Sequence, residues 1–95
     1  MSSTLDAILT RHARERMQQR GIPPAAVEQV LRFGCERHDG HGGVIHFVDR
    51  EGRRRIARTG AVRSADVDRL SGVYVVVTGG IVVTVGHRTR RVRRS

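Results

Sequence analysis

Residues 73–77 (VYVVV) and 81–85 (IVVTV) are almost entirely apolar and β-branched, and only Thr78, Gly79 and Gly80 separate them. Side chains branched at Cβ are stiff and pack well on a pleated surface, so both runs read as strands. Glycine reaches positive φ without steric cost, and a Gly-Gly pair between such runs specifies a tight hairpin. Both faces of both strands are apolar, so the hairpin is expected to be central in a sheet and covered by helices on at least one side. With Gly79 and Gly80 as the loop, Val77 is expected opposite Val82 and Val75 opposite Thr84. Thr84 then stands as the one polar residue in a wall of valine.

The covering helices are legible in the first third. Thr10 is an N-cap candidate, Gly21 can supply the left-handed residue that closes a helix, and Pro23 prevents continuation. Between them Ala13 and Met17 form an apolar stripe, flanked by a stripe of His12, Arg16 and Arg20. Upstream, Leu5, Ile8 and Leu9 have helical spacing that would start the helix near Ser3 or Thr4. The preferred alternative makes residues 7–10 extended. Pro23 and Pro24 then suit the first turn of a second helix, in which Ala26, Val27, Val30 and Leu31 form an apolar face. Gly34 is its natural stop.

The middle is polar and glycine-rich. Residues 35–43 (CERHDGHGG) lead into an expected strand at 44–48 (VIHFV). Asp49, Arg50, Glu51 and Gly52 read as a hairpin turn, with residues 53–58 (RRRIAR) as a basic return strand at a sheet edge, where arginines discourage unwanted pairing. A weakly patterned third helix is expected at about residues 61–70. Residues 88–95 (RTRRVRRS) read as a basic arm following one domain of residues 1–87.

Charge narrows the function. The net charge is +9 with a pI near 11.7, and all 18 basic residues are arginine. Guanidiniums stay charged at physiological pH and grip phosphate with two parallel hydrogen bonds, so the expected partner is a polyanion, RNA first. An acidic protein such as an antitoxin is the other candidate. The longest apolar run is too short and too interrupted to span a bilayer, no signal peptide is evident, and the single cysteine, Cys35, excludes an intrachain disulfide. A cytoplasmic protein is expected, with Cys35 structural.

No P-loop, zinc-finger spacing, nucleophile elbow or paired carboxylates occur. The remaining chemistry rests on histidine and arginine. Metal-independent RNA cleavage needs a base, an acid and fixed positive charge at one phosphate. His12, Arg16, Thr84 and His87 are the candidate catalytic set, with His12 or His87 as base or acid, Arg16 on the phosphate and Thr84 orienting a proton or an oxygen. His46, inside a strand, either joins them or is a partly buried, hydrogen-bonded histidine. Arg20, Arg53, Arg54, Arg55, Arg88, Arg90 and Arg91 are the candidate nucleic-acid contacts. His38, Asp39, His41 and His46 have spacings open to zinc, but without a cysteine partner the template is weak, and neither metal nor cofactor is expected. The non-catalytic alternative is a nucleic-acid- or protein-binding module. Only Phe33, Phe47 and Tyr74 are aromatic, which argues against base stacking as the main mode.

The pattern H-A-x-x-R-M-x-x-R-G-I, residues 12–22, resembles the opening of a family of small bacterial proteins, domain of unknown function 4258. V-T-V-G-H-R-T-R-R-V-R-R, residues 83–94, resembles the ending of one subgroup. That family is similar to the barnase, colicin and RelE group of toxin nucleases. The resemblance implies an α+β fold, with two N-terminal helices on a roughly four-stranded antiparallel sheet, and an endoribonuclease or toxin–antitoxin role. It assigns the helix positions to His12, Arg16 and Arg20, and the closing-strand positions to Thr84 and His87.

Overall fold

The computed structural model describes residues 7–60, 67, 69–70 and 72–87. Their order is α1 (Arg11–Arg20), α2 (Pro24–Phe33), β1 (Cys35–His38), β2 (Val44–Phe47), α3 (Arg50–Thr59), β3 (Val73–Thr78) and β4 (Ile81–His87). The four strands form one antiparallel sheet in the order β1-β2-β3-β4. The α+β class and the two leading helices are as expected. Residues 88–95 and most of the expected third helix lie outside the described residues, although Val67, Arg69 and Leu70 are helical.

Local signals set the first two helices. Thr10 is extended and its Oγ1 accepts the Ala13 N–H at 3.0 Å, while Gly21 closes α1 in the left-handed conformation. Ala13 and Met17 are its buried residues. The segment ahead is only partly extended: Ala7 and Ile8 are helical, and Leu9 makes an isolated parallel bridge to Val82. Pro23 caps α2 and Pro24 fills its first position, where a missing N–H costs nothing. Val27 and Val30 are its buried residues, and Gly34 ends it.

The middle corrects the sequence reading. The RRR run, Arg53 to Arg55, is no return strand; it lies in α3. Asp49 is a cap rather than a turn residue, its Oδ1 accepting the Gly52 N–H at 2.8 Å. Glu51 in the first turn suits the positive end of the helix dipole, and arginine is a good helix former. Gly52 and Ile56, four apart, are buried on one side of α3. The partner of β2 lies upstream instead: β1 pairs with it from Cys35↔Phe47 to His38↔Val44. This polar edge strand carries Glu36, Arg37 and His38 exposed.

The valine hairpin turns on Gly79 and Gly80, both at positive φ (58° and 80°). Val77 pairs with Val82 as expected, but a bulge between Val76 and Val77 makes Val75 pair with Val85 and Val76 with Thr84. The extra residue, Val83, reverses the alternation: Val82 and Val85 both enter the core, and Thr84 moves to the other face. Thr84 is therefore not set in a valine wall. The hairpin is also not central as a whole. β3 is interior, whereas β4 ends the sheet order and has its outer side met by Leu9 and Thr10.

One cluster fills the space between sheet and helices. It joins Ala13, Met17, Ile22, Val27, Val30 and Ile56 to Val48, Val73, Val75, Val82 and Val85. Pairing carries the opposite alternation, Ile45, Phe47, Tyr74, Val76 and Thr84, onto the far face, and none of these belongs to that core. All five are half-buried.

Candidate nucleic-acid interface

No charged side chain is buried among the described residues, so the basic excess lies at the surface. Among the described residues α3 carries the densest part: five arginines and one glutamate within ten residues. With Gly52 and Ile56 inward, Arg50, Arg54 and Arg58 recur at four-residue steps on the opposite side, about 6 Å apart along the axis. All three are exposed. Arg55 is exposed too, 3.8 Å from Glu51 in an ion pair open to water that neutralises little. Arg53 is only half-exposed, and its Nε is shut off from solvent.

α1 supplies the second basic surface. His12 and Arg20 are exposed and Arg16 half-exposed, along the flank of the buried Ala13–Met17 stripe. Arg11 pairs with Glu15 at 3.4 Å, both in water. The start of this helix is docked on β4: the Thr10 N–H donates to the Val82 carbonyl at 3.1 Å, and its hydroxyl reaches the Val83 carbonyl at 3.4 Å. The bulge carbonyl thus receives the cap residue.

The four residues expected to form a catalytic set lie on two elements and on both faces of the sheet. His12 and Arg16 ride on α1, with His12 within a turn of its anchor at Val82 and Val83. His87 ends β4, five positions beyond Val82, which is roughly 17 Å of extended strand. It pairs with Val73 and so belongs to the helix-bearing face. Thr84 pairs with Val76 on the other face. Among the candidate contacts, Arg20, Arg54 and Arg55 are exposed, whereas Arg88, Arg90 and Arg91 lie outside the described residues.

A family profile described as a domain of unknown function, DUF4258, matches residues 9–87. The chain belongs to the DUF4258 family. No curated protein and no solved structure matches it.

The remaining polar groups of this DUF4258 domain serve its loops. Asp39 Oδ1 accepts the backbone N–H groups of His41 (2.6 Å) and Gly43 (2.9 Å), closing the β1–β2 hairpin. These bonds hold the Asp39 carboxyl below its ordinary pKa. Among the described residues no three His, Cys, Asp or Glu side chains are grouped to hold a metal ion. His46 faces the core side of β2 opposite Val75, half-buried, and its Nδ1 has no hydrogen-bond partner among the described residues. Cys35 donates its thiol proton to Asp49 Oδ2 at 2.9 Å. That bond, with some burial and the Asp49 charge, raises the thiol pKa and keeps Cys35 in its unreactive form. No helix among the described residues is long and apolar enough to cross a membrane.

Two features of this DUF4258 domain are hidden in the linear sequence. Arg50 and Arg58 belong to the same stripe as Arg54, and their four-residue spacing would have shown it had Asp49 been read as a cap. The placement of Arg37, Phe47 and Tyr74 on one face depends on pairing between distant segments and carries no local signal.

Proposed function

We propose that this domain binds RNA through the arginines of α3 and α1. The observation that carries the reading is the exposed line Arg50–Arg54–Arg58. Rigid helical spacing fixes three guanidiniums in register, and the one acidic residue of the helix, Glu51, already faces Arg55. Such a line suits a phosphate backbone, gives salt-sensitive affinity and carries no sequence code by itself. An acidic antitoxin would compete for the same arginines.

A toxin-type, metal-independent endoribonuclease is the second reading. The exposed His12 beside Arg16 favours it, and the likeness to the barnase, colicin and RelE group agrees with helices on one face of a four-stranded sheet. Fold alone does not carry chemistry. The distance along β4 between the α1 anchor and His87 favours binding over cleavage, because acid and base must meet at one phosphate.

The test is a titration of fluorescently labelled RNA with EDTA present, followed by electrophoresis of the same RNA. Arg54→Glu/Arg58→Glu is expected to weaken binding of every RNA alike and to flatten the log K against log salt slope by roughly 1.4–1.8. Intact RNA after incubation with wild type and His12→Ala alike supports binding alone. Cleavage products from wild type that disappear in His12→Ala would establish the nuclease.

A further inference from the structure

The face of the sheet away from the helices carries a cross-strand aromatic pair. Phe47 on β2 lies directly opposite Tyr74 on β3, and Tyr74 in turn lies opposite Gly86 on β4. A Cβ added at Gly86 would stand 2.8 Å from the Tyr74 hydroxyl, 3.0 Å from Cζ and 3.1 Å from Cε2. The tyrosine ring therefore lies down across the β4 backbone, in space that any residue but glycine would take. Gly86 is buried, whereas Tyr74 remains half-exposed.

Beside this ring, Arg37 from β1 stands over Phe47, with its guanidinium carbon 5.7 Å from the ring centre. Arg37 is exposed. The surround is apolar and half-exposed, formed by Ile45 and Val76, with Thr84 as a hydroxyl within the face. Two of the chain's three aromatic residues are thus gathered on one face with a planar cation.

We infer that this face is a stacking platform for unpaired bases of single-stranded RNA, with Tyr74 as the stacking surface and Arg37, seated over Phe47, serving the backbone or a base plane. The inference rests on the RNA-binding reading above and adds the strandedness of the ligand. Its physical basis is complementarity. Every base has a π-face that stacks on an aromatic ring or a guanidinium, and the accompanying phosphate is drawn to a domain of net charge +9. Double-stranded RNA keeps its bases stacked internally and cannot use the ring. The arginine lines of α1 and α3 serve either kind of RNA, and only the Tyr74 face discriminates between them.

Tyr74 is the only tyrosine in a chain without tryptophan, so its emission reports on this face alone. The full chain is titrated at low salt with a uridine oligonucleotide and, separately, with a hairpin duplex of equal phosphate count. Binding is followed by anisotropy of a label on the RNA. The uridine strand is expected to quench Tyr74 emission as it binds, and the duplex to bind without quenching. Tyr74→Phe keeps a ring and is expected to bind the single strand like wild type. Tyr74→Leu is expected to lose roughly five- to a hundredfold for the single strand and nothing for the duplex.

Quenching by neither RNA, with both bound, overturns the platform and leaves the arginine reading intact. Equal loss of both RNAs in Tyr74→Leu, in a variant that still melts cooperatively, also overturns it. Concentration-dependent self-association lost in Tyr74→Leu would make the face a contact between two copies, which overturns it as well. No binding of either RNA by wild type would remove the RNA-binding reading itself.

Discussion

Replacing Asp49 by alanine tests the part of the fold that differs most from the sequence pattern. Asp49 uses both carboxylate oxygens: Oδ1 accepts the Gly52 N–H at 2.8 Å, and Oδ2 accepts the Cys35 thiol at 2.9 Å. Loss of an N-cap costs about 1 kcal/mol, and the bond from a weak thiol donor at an exposed site adds roughly 0.5 kcal/mol. The expected loss for Asp49→Ala is therefore about 1.5 kcal/mol, or roughly 6–12 °C in melting temperature for a domain of this size. Asp49→Asn retains a capping oxygen and is expected to stay within about 0.5 kcal/mol of wild type at neutral pH. The response to acid should then distinguish wild type from the asparagine variant, because only wild type carries a titrating group at this position. The Cys35 thiol, then the Gly52 N–H, hold the Asp49 carboxyl below its ordinary 3.8. A carboxylate whose pKa is depressed by folding stabilises the native state above the unfolded value, and that contribution disappears as pH falls through the lower folded value. Wild type should therefore lose its advantage over Asp49→Asn on descending below pH 3.8. Thermal unfolding by circular dichroism at neutral pH and in that acid range reads both effects. An Asp49→Ala protein that melts with wild type would refute the capped helix and return Asp49 to a turn.

Three further outcomes follow from the packing. Ile56 is fully buried and ties α3 to the core, so Ile56→Ala is expected to cost about 2–5 kcal/mol in chemical denaturation. Gly86→Ala places a methyl under the Tyr74 ring, which must swing away. A modest loss of about 1 kcal/mol is expected, with Tyr74 emission altered before any RNA is added. Cys35→Ala removes only the exposed thiol bond; it is expected to melt within about 0.5 kcal/mol of wild type and to show a higher Asp49 pKa by NMR titration.

What sequence could determine was whatever a few neighbouring residues decide together. Thr10, Gly21, Pro23, Pro24, Gly79 and Gly80 act within one turn of chain, through capping, steric limits on φ and missing N–H groups. The boundaries of α1 and α2 and the valine turn were accordingly legible, and so was the His12–Arg16–Arg20 stripe. Residues 49–58 were ambiguous because Asp-Arg-Glu-Gly fits both a turn and a helix start. Burial of Gly52 and Ile56 against the rest of the core goes with the helix, and that partner surface comes from elsewhere in the chain. The bulge at Val83 is likewise tertiary. The run IVVTV permits either register, and in the bulged one Val85 enters the core, Thr84 keeps its hydroxyl out of it, and Thr10 meets the Val82 and Val83 carbonyls. The faces of the sheet were decided last of all. Arg37, Phe47, Tyr74 and Gly86 share one surface only because three strand pairings bring them there, and strand pairing is a property of the folded sheet rather than of any one stretch of residues.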